Sequence, residues 1–230
     1  MIDRADSYFV RLPVNRTALR IATVAAWLIL ALLSAFASPD PEPRVIFIKE
    51  FPGSRPDYYS ITVSENGRTV YRTAPDDDSP LQFQLPPDTA AEIFRLAGQL
   101  NWFKGEKLES GRKVANMGKK TLEYAKGEEN YEASFNHTER PEAMALMGIF
   151  EKISQTEQHI LQLKYLTHFD KLGVMKELLA AEIDFDQGRL IGADQLEPVL
   201  TQIQNDRSLV HVAQERAAEF LNKIKTSAKN

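Results

Sequence analysis

The sequence predicts an α+β fold: an antiparallel sheet of hairpins carrying one helix, followed by an all-helical part. Three observations carry this. Strand-like segments cluster between Val45 and Asn136. One of them contains Asn66-Gly67, a strong short-range signal for a hairpin turn. From Pro141 onward the apolar residues recur at helical spacing. Strands first and helices after imply an antiparallel sheet, not alternating βα units.

Val45 to Phe51 is rich in β-branched and aromatic residues and predicts a strand, turned by Pro52 to Pro56. Tyr58 to Ser64 and Arg68 to Thr73 predict a hairpin. A two-residue type I′ turn at Asn66-Gly67 pairs Glu65 with Arg68, Val63 with Val70 and Thr62 with Tyr71. Ile61, Val63 and Val70 then share the core face. Ala74 to Pro80 is a loop, and Leu81 to Leu85 alternates weakly as a short strand. A helix follows Pro86-Pro87, with Asp88 as its expected cap and Ile93, Leu96, Ala97 and Leu100 on one face. It ends near Asn101 to Phe103. Lys104 to Gly118 is a loop, and Lys119 to Lys126 with Tyr131 to His137 predicts a second hairpin turning near Gly127.

Pro141 suits the first turn of a helix. The helical stripe runs through Leu146, Phe150, Ile153, Ile160, Leu163, Phe169 and Leu172. Ser154-Gln155-Thr156-Glu157 matches a capping box, which predicts a break there. Gly173 is expected to end the run, Val174 to Glu182 to form a short helix, and Asp184 to Gly192 to turn. Asp194 to Glu197 repeats the capping pattern ahead of Leu196, Val199, Leu200 and Ile203. Asn205-Asp206 starts the last helix, with Val210, Ala213, Ala217, Phe220 and Ile224 inward.

The leader has a different character. Ile21 to Ala37 is a 17-residue run without charge or proline behind Arg4, Arg11, Arg16 and Arg20. A basic segment, an apolar segment and an Ala35-x-Ala37 site make a signal peptide cut after Ala37. The same length lies at the lower limit for an uncleaved membrane anchor. Either reading places residues 38–230 outside the cytosol, in the periplasm or beyond. A buried helix of a cytosolic fold fits poorly, because apolar residues cover every face. The domain reading is a signal or anchor over 1–37, a proline-rich linker over 38–44, a sheet domain with one helix over 45–137 and a helical region over 138–230.

Composition excludes several functions. The chain carries 28 Lys+Arg against 32 Asp+Glu, and without the leader 24 against 30, a formal charge of −6. That disfavours binding to nucleic acid. With no cysteine, disulfides, thiolate zinc sites and a Cys nucleophile are excluded. Gly111 to Thr121, GRKVANMGKKT, fails as a phosphate loop in both spacing and context, so neither nucleotide nor any other cofactor is expected. Asp184 to Leu190 fits no register of an EF-hand. Asp76-Asp77-Asp78 reads as a solvated loop tip. His137, His159, His168 and His211 form no i, i+4 pair, and no Gly-x-Ser-x-Gly elbow occurs. No catalytic or metal residue is assigned.

Two surfaces remain as candidates. Lys104, Lys107, Arg112, Lys113, Lys119 and Lys120 form a basic stretch suited to an anion or acidic partner. Tyr58, Tyr59 and Trp102 are candidate aromatic contacts. The reading is an exported, non-enzymatic module that binds a protein or a cell-envelope component. Its alternatives are a hydrolase using carboxylates or a histidine, and a membrane-anchored structural protein. Membrane contact is expected only through residues 21–37, if they remain attached.

Overall fold

The computed structural model describes residues 41–227, so the leader and its cleavage or anchoring lie outside the described residues. Residues from Glu42 onward form one compact unit. Six strands build one antiparallel sheet: β1 (Arg44–Glu50), β2 (Tyr58–Ser64), β3 (Arg68–Arg72), β4 (Leu81–Gln84), β5 (Lys119–Lys126) and β6 (Glu129–Phe135). Their order is β4-β3-β2-β1-β5-β6. The first four make a meander, and the chain then crosses by α1 (Pro87–Gln99) to lay β5 on the far side of β1. The helices after the sheet are α2 (Pro141–Phe169), α3 (Val174–Asp186), α4 (Glu197–Asn205) and α5 (His211–Ser227). The α+β class is as the sequence predicts.

Period-2 alternation puts Val45 and Phe47, Ile61 and Val63, and Leu122 and Tyr124 on the covered face of the sheet. The β2–β3 register differs from expectation by one residue. Thr62 pairs with Val70 and Ile61 with Tyr71. The loop has three residues, not two: the Gly67 amide donates to the Ser64 carbonyl at 2.8 Å, and Gly67 has a φ of +85°. This is a turn completed by one left-handed glycine. A one-residue slip exchanges the faces of a strand. Tyr71 and Thr69 are therefore buried, while Val70 is only half-buried. The second hairpin turns on Gly127-Glu128, with Lys126 opposite Glu129.

Helix α1 starts at Pro87 without a side-chain cap, and Asp88 lies in its first turn. Its predicted face of Ile93, Leu96, Ala97 and Leu100 is buried. Helix α2 runs unbroken for 29 residues through the expected capping box. Those polar residues serve the helix interior instead. Thr156 Oγ1 donates to the carbonyls of Lys152 at 3.2 Å and Ile191 at 2.9 Å, and Ser154 Oγ accepts from Gln158 at 2.8 Å. Phe169 and Leu172 are 74% and 85% exposed, contrary to the inward stripe. Helix α3 extends to Asp186, so Asp184 is helical and not in a turn. The last helix starts at His211; Leu209 is buried in the place expected for Val210. Asp206 instead holds a tight turn, accepting from the Ser208 amide at 2.9 Å.

Two apolar clusters result. Ala143, Leu146, Phe150 and Ile153 of α2 join the sheet and α1. Ile160, Leu163 and Leu166 of the same helix join α3, α4 and α5. Phe150 stacks on Phe47 at 5.2 Å between ring centroids.

Phe150→Ala is expected to lower stability by about 3–5 kcal/mol, the usual cost of emptying an aromatic site in a core. Chemical denaturation measures it. Gly67→Ala is expected to cost more than 1 kcal/mol, on the order of the left-handed penalty. A Cβ there would also lie 2.6 Å from Gln84 Nε2 and 3.0 Å from the Leu85 carbonyl.

Candidate functional site

Between its two apolar halves, α2 carries six consecutive polar residues, Ser154 to His159. Tyr71 Oη of β3 meets Ser154 Oγ at 3.4 Å. Burial pushes the pKa of the Tyr71 hydroxyl up to about 12, so it stays un-ionised. His159 is 5% exposed and lies between two acids of α3: Nδ1 is 2.6 Å from Glu177 Oε1 and Nε2 is 2.9 Å from Asp184 Oδ2. Gln155 Nε2 donates to the same Asp184 oxygen at 2.8 Å, and Arg189 donates to the other.

Burial alone would lower the pKa of His159. Hydrogen bonds to Glu177 and Asp184, with their charges, outweigh it and hold the imidazole above its ordinary value. Burial would raise Asp184, but its bonds to His159 and Arg189 keep its carboxyl below the usual range. With an acid oxygen against each nitrogen, the ring clasps α2 to α3, and in its charged form it donates to both.

The clasp forms one wall of an open cleft of about 530 Å³. Gln158, Gln162 and Tyr165 of α2 line it on one side, and Arg55, Tyr71 and Thr73 on the other. A second cleft, of about 470 Å³, lies against Glu151, Lys152, Gln155, Asp184 and Arg189. The two share Gln155. Among the described residues no group of three His or carboxylate side chains is arranged to hold a metal ion.

Glu157 differs from its neighbours. It is 1% exposed, and its Oε1 has no hydrogen-bond partner among the described residues. Burial raises its pKa to about 7, with Asp194 adding to the rise and Lys164 opposing it.

The residues singled out from sequence are spread over other faces. Lys104 lies 4.9 Å from the Tyr131 ring centroid. Arg112 pairs with Glu139 at 2.9 Å, and Lys119 approaches Glu50 at 3.9 Å. Lys107 and Lys113 are exposed. Lys120 is 4% exposed and donates to the Met117 and Asn136 carbonyls at 3.2 and 2.9 Å, so it is a strut beneath the loop and not part of its open face. Burial, then the charge of Lys49, depresses its pKa. Tyr59 is buried 5.9 Å from Tyr71, centroid to centroid, and Tyr58 is half-buried. Trp102 is half-buried, 4.6 Å from the Tyr124 ring, in a turn where Asn101, Trp102 and Phe103 have φ of 50°, 54° and 65°. Asp77 accepts from the Thr73 and Ser79 amides, both at 3.0 Å, and so closes its own loop. His168 and His211 are exposed and His137 is half-buried.

Sequence reasoning missed His159, Glu177 and Asp184 as a group because 18 and 25 residues separate the partners. The available signal was the polar run Ser154 to His159 inside an otherwise apolar helical pattern. No protein-family model matches the chain, and no curated protein matches it in sequence.

The clasp and Glu157 set the pH dependence of stability. His159, with its folded pKa raised, contributes fully below its unfolded value of about 6.5 and loses that contribution as pH rises through the folded value. Asp184, with its pKa lowered, contributes above 3.8 and is lost as pH falls through its folded value. His159→Leu is expected to cost about 3 kcal/mol near pH 6. It removes the only partner, among the described residues, of the half-buried Glu177 Oε1 and one of the three groups bonded to the buried Asp184. The cost should shrink in alkaline urea titrations. Glu157 holds a proton in the folded state between 4.5 and about 7 that the unfolded state releases. Stability therefore falls as pH rises across that window, by about 3 kcal/mol at about 1.4 kcal/mol per unit. Glu157→Gln is expected to remove that slope.

Proposed function

We propose that the chain works outside the cytosol as a non-enzymatic module that binds a protein or a cell-envelope component in the cleft beside the His159 clasp. The observation that carries this reading is the engagement of His159. Its two nitrogens already face Glu177 and Asp184 at 2.6 and 2.9 Å, so neither is turned toward a substrate in the cleft. General base catalysis needs a free lone pair within reach of the substrate proton. The remaining lining favours recognition. Gln158, Gln162, Tyr165 and Arg55 offer amide, phenol and guanidinium groups that suit a polar partner.

The basic loop is a second surface for the same role. Its exposed cations Lys107 and Lys113 make no ion pair among the described residues, whereas Arg112 is already engaged by Glu139. The arginine-led apolar segment at residues 21–37 supports export or anchoring. Among the described residues no helix is long and apolar enough to cross a membrane. A hydrolase is the second reading, favoured by an imidazole beside acids at a cleft wall. An anchored structural role is a third, and it requires that residues 1–37 stay attached.

Two experiments separate these readings. The N-terminal sequence of protein recovered from fractionated cells is expected to start after Ala37 in an extracytoplasmic fraction; full-length protein among the cytosolic enzymes would sink the export reading. In co-sedimentation with isolated envelopes, Gln158→Ala with Tyr165→Ala is expected to weaken retention about tenfold. Arg112→Glu, Lys113→Glu and Lys119→Glu together test the loop. Loss of retention only in that triple variant would move the contact there. Ester or glycoside turnover abolished by His159→Gln would favour the hydrolase.

A further inference from the structure

Glu157 Oε1 is not alone in lacking a partner. Gln195 Nε2, in the turn before α4, is also buried without one among the described residues. Native structures pair nearly all such atoms with protein, water or a bound group, so an orphan acceptor and an orphan donor call for partners from outside the fold. Both residues line a single cleft of about 250 Å³. Leu81, Gln82 and Phe83 of β4 form its opposite wall, and Lys164 lies at its side.

Strand β4 is the end of the sheet: among the described residues it pairs only with β3. Three consecutive β4 residues, which alternate between faces, line the cleft, so the cleft follows the strand edge. An extended peptide laid on that edge continues the sheet through main-chain bonds and sends alternate side chains into the cleft. The group that fits must donate to a carboxylate and accept from an amide within one small volume. A carboxamide does both without adding charge. That suits a cleft where Lys164 and Glu157 already oppose each other.

We propose that the β4 edge and the cleft lined by Glu157 and Gln195 form a docking site for an extended segment of a partner protein, with an Asn or Gln side chain bonded to both orphan groups. The site uses residues other than those of the cleft beside His159, so it stands or falls separately from that reading.

The test uses the protein as recovered from cells, isotope-labelled, titrated with acetyl-Thr-Val-Gln-Val-Thr-amide and with versions carrying Leu or Glu in place of Gln. The Gln peptide is expected to shift the amide signals of Leu81 to Gln84 and the side-chain amide of Gln195 saturably. The Leu and Glu peptides should bind about tenfold more weakly or worse. Glu157→Leu and Gln195→Leu should each cause a similar loss, with the remaining spectrum unchanged, since each removes a polar group that folding leaves unpaired. Bonds to the charged carboxylate favour it, so the Glu157 carboxyl titration should move to lower pH when the Gln peptide is saturating. Equal binding of all three peptides, an unmoved Glu157 titration, or no shift at β4 up to about 10 mM peptide would overturn the proposal. Shifts confined to the His159 cleft would also overturn it.

Discussion

One helix holds the molecule together by belonging to two cores. The first half of α2 closes the sheet through Leu146, Phe150 and Ile153, and the second half founds the helical cluster through Ile160, Leu163 and Leu166. A helix shared in this way must pass from one apolar environment to the other without breaking. The sequence between them, Ser154 to His159, is wholly polar. It stays helical because tertiary partners satisfy its side chains: Tyr71 from the sheet, the Ile191 carbonyl from the connection before α4, and Glu177 and Asp184 from α3. Helical stability here comes from packing and partnership more than from local propensity.

That arrangement sets both rigidity and opportunity. Buried polar groups in low dielectric fix geometry when fully bonded and are costly when not. The His159 clasp is of the first kind, and it orients α3 against α2 through directional contacts that an apolar seam lacks. Glu157 is of the second kind, one turn from residues that are fully bonded. Two clefts meet at Gln155 and a third opens at Glu157. These three recesses border the polar belt, while a further one lies against α1 and Trp102.

The sheet was legible because alternation and turn chemistry are local. Leu122 and Tyr124 face inward as their spacing implies, and by the same period Lys120 had to face inward with them, although its charge grouped it with the loop. The β2–β3 register was not legible. Asn66-Gly67 suits either a two-residue turn or the end of a three-residue one, and only the bond from Gly67 to Ser64 distinguishes them. Helix α2 was divided wrongly because Ser154-x-x-Glu157 carries the residues of a cap; whether they cap or bridge depends on neighbours far along the chain. The sequence reads Asp184 to Gly192 as a turn, yet α3 continues to Asp186. Phe169 and Leu172 fitted the apolar period, but α2 ends at Phe169 and α3 turns away from them.

The corner after α1 ties together two parts of the chain that lie far apart in sequence. Asn101, Trp102 and Phe103 hold left-handed backbone angles, each unfavourable for a residue with a side chain by about 1–2 kcal/mol. The indole at its centre rests on Tyr124, which belongs to a strand reached only after the long loop. Phe94 of α1 also approaches the indole, at 6.4 Å between centroids, so the strained corner is braced at once by its own helix and by the strand that flanks β1.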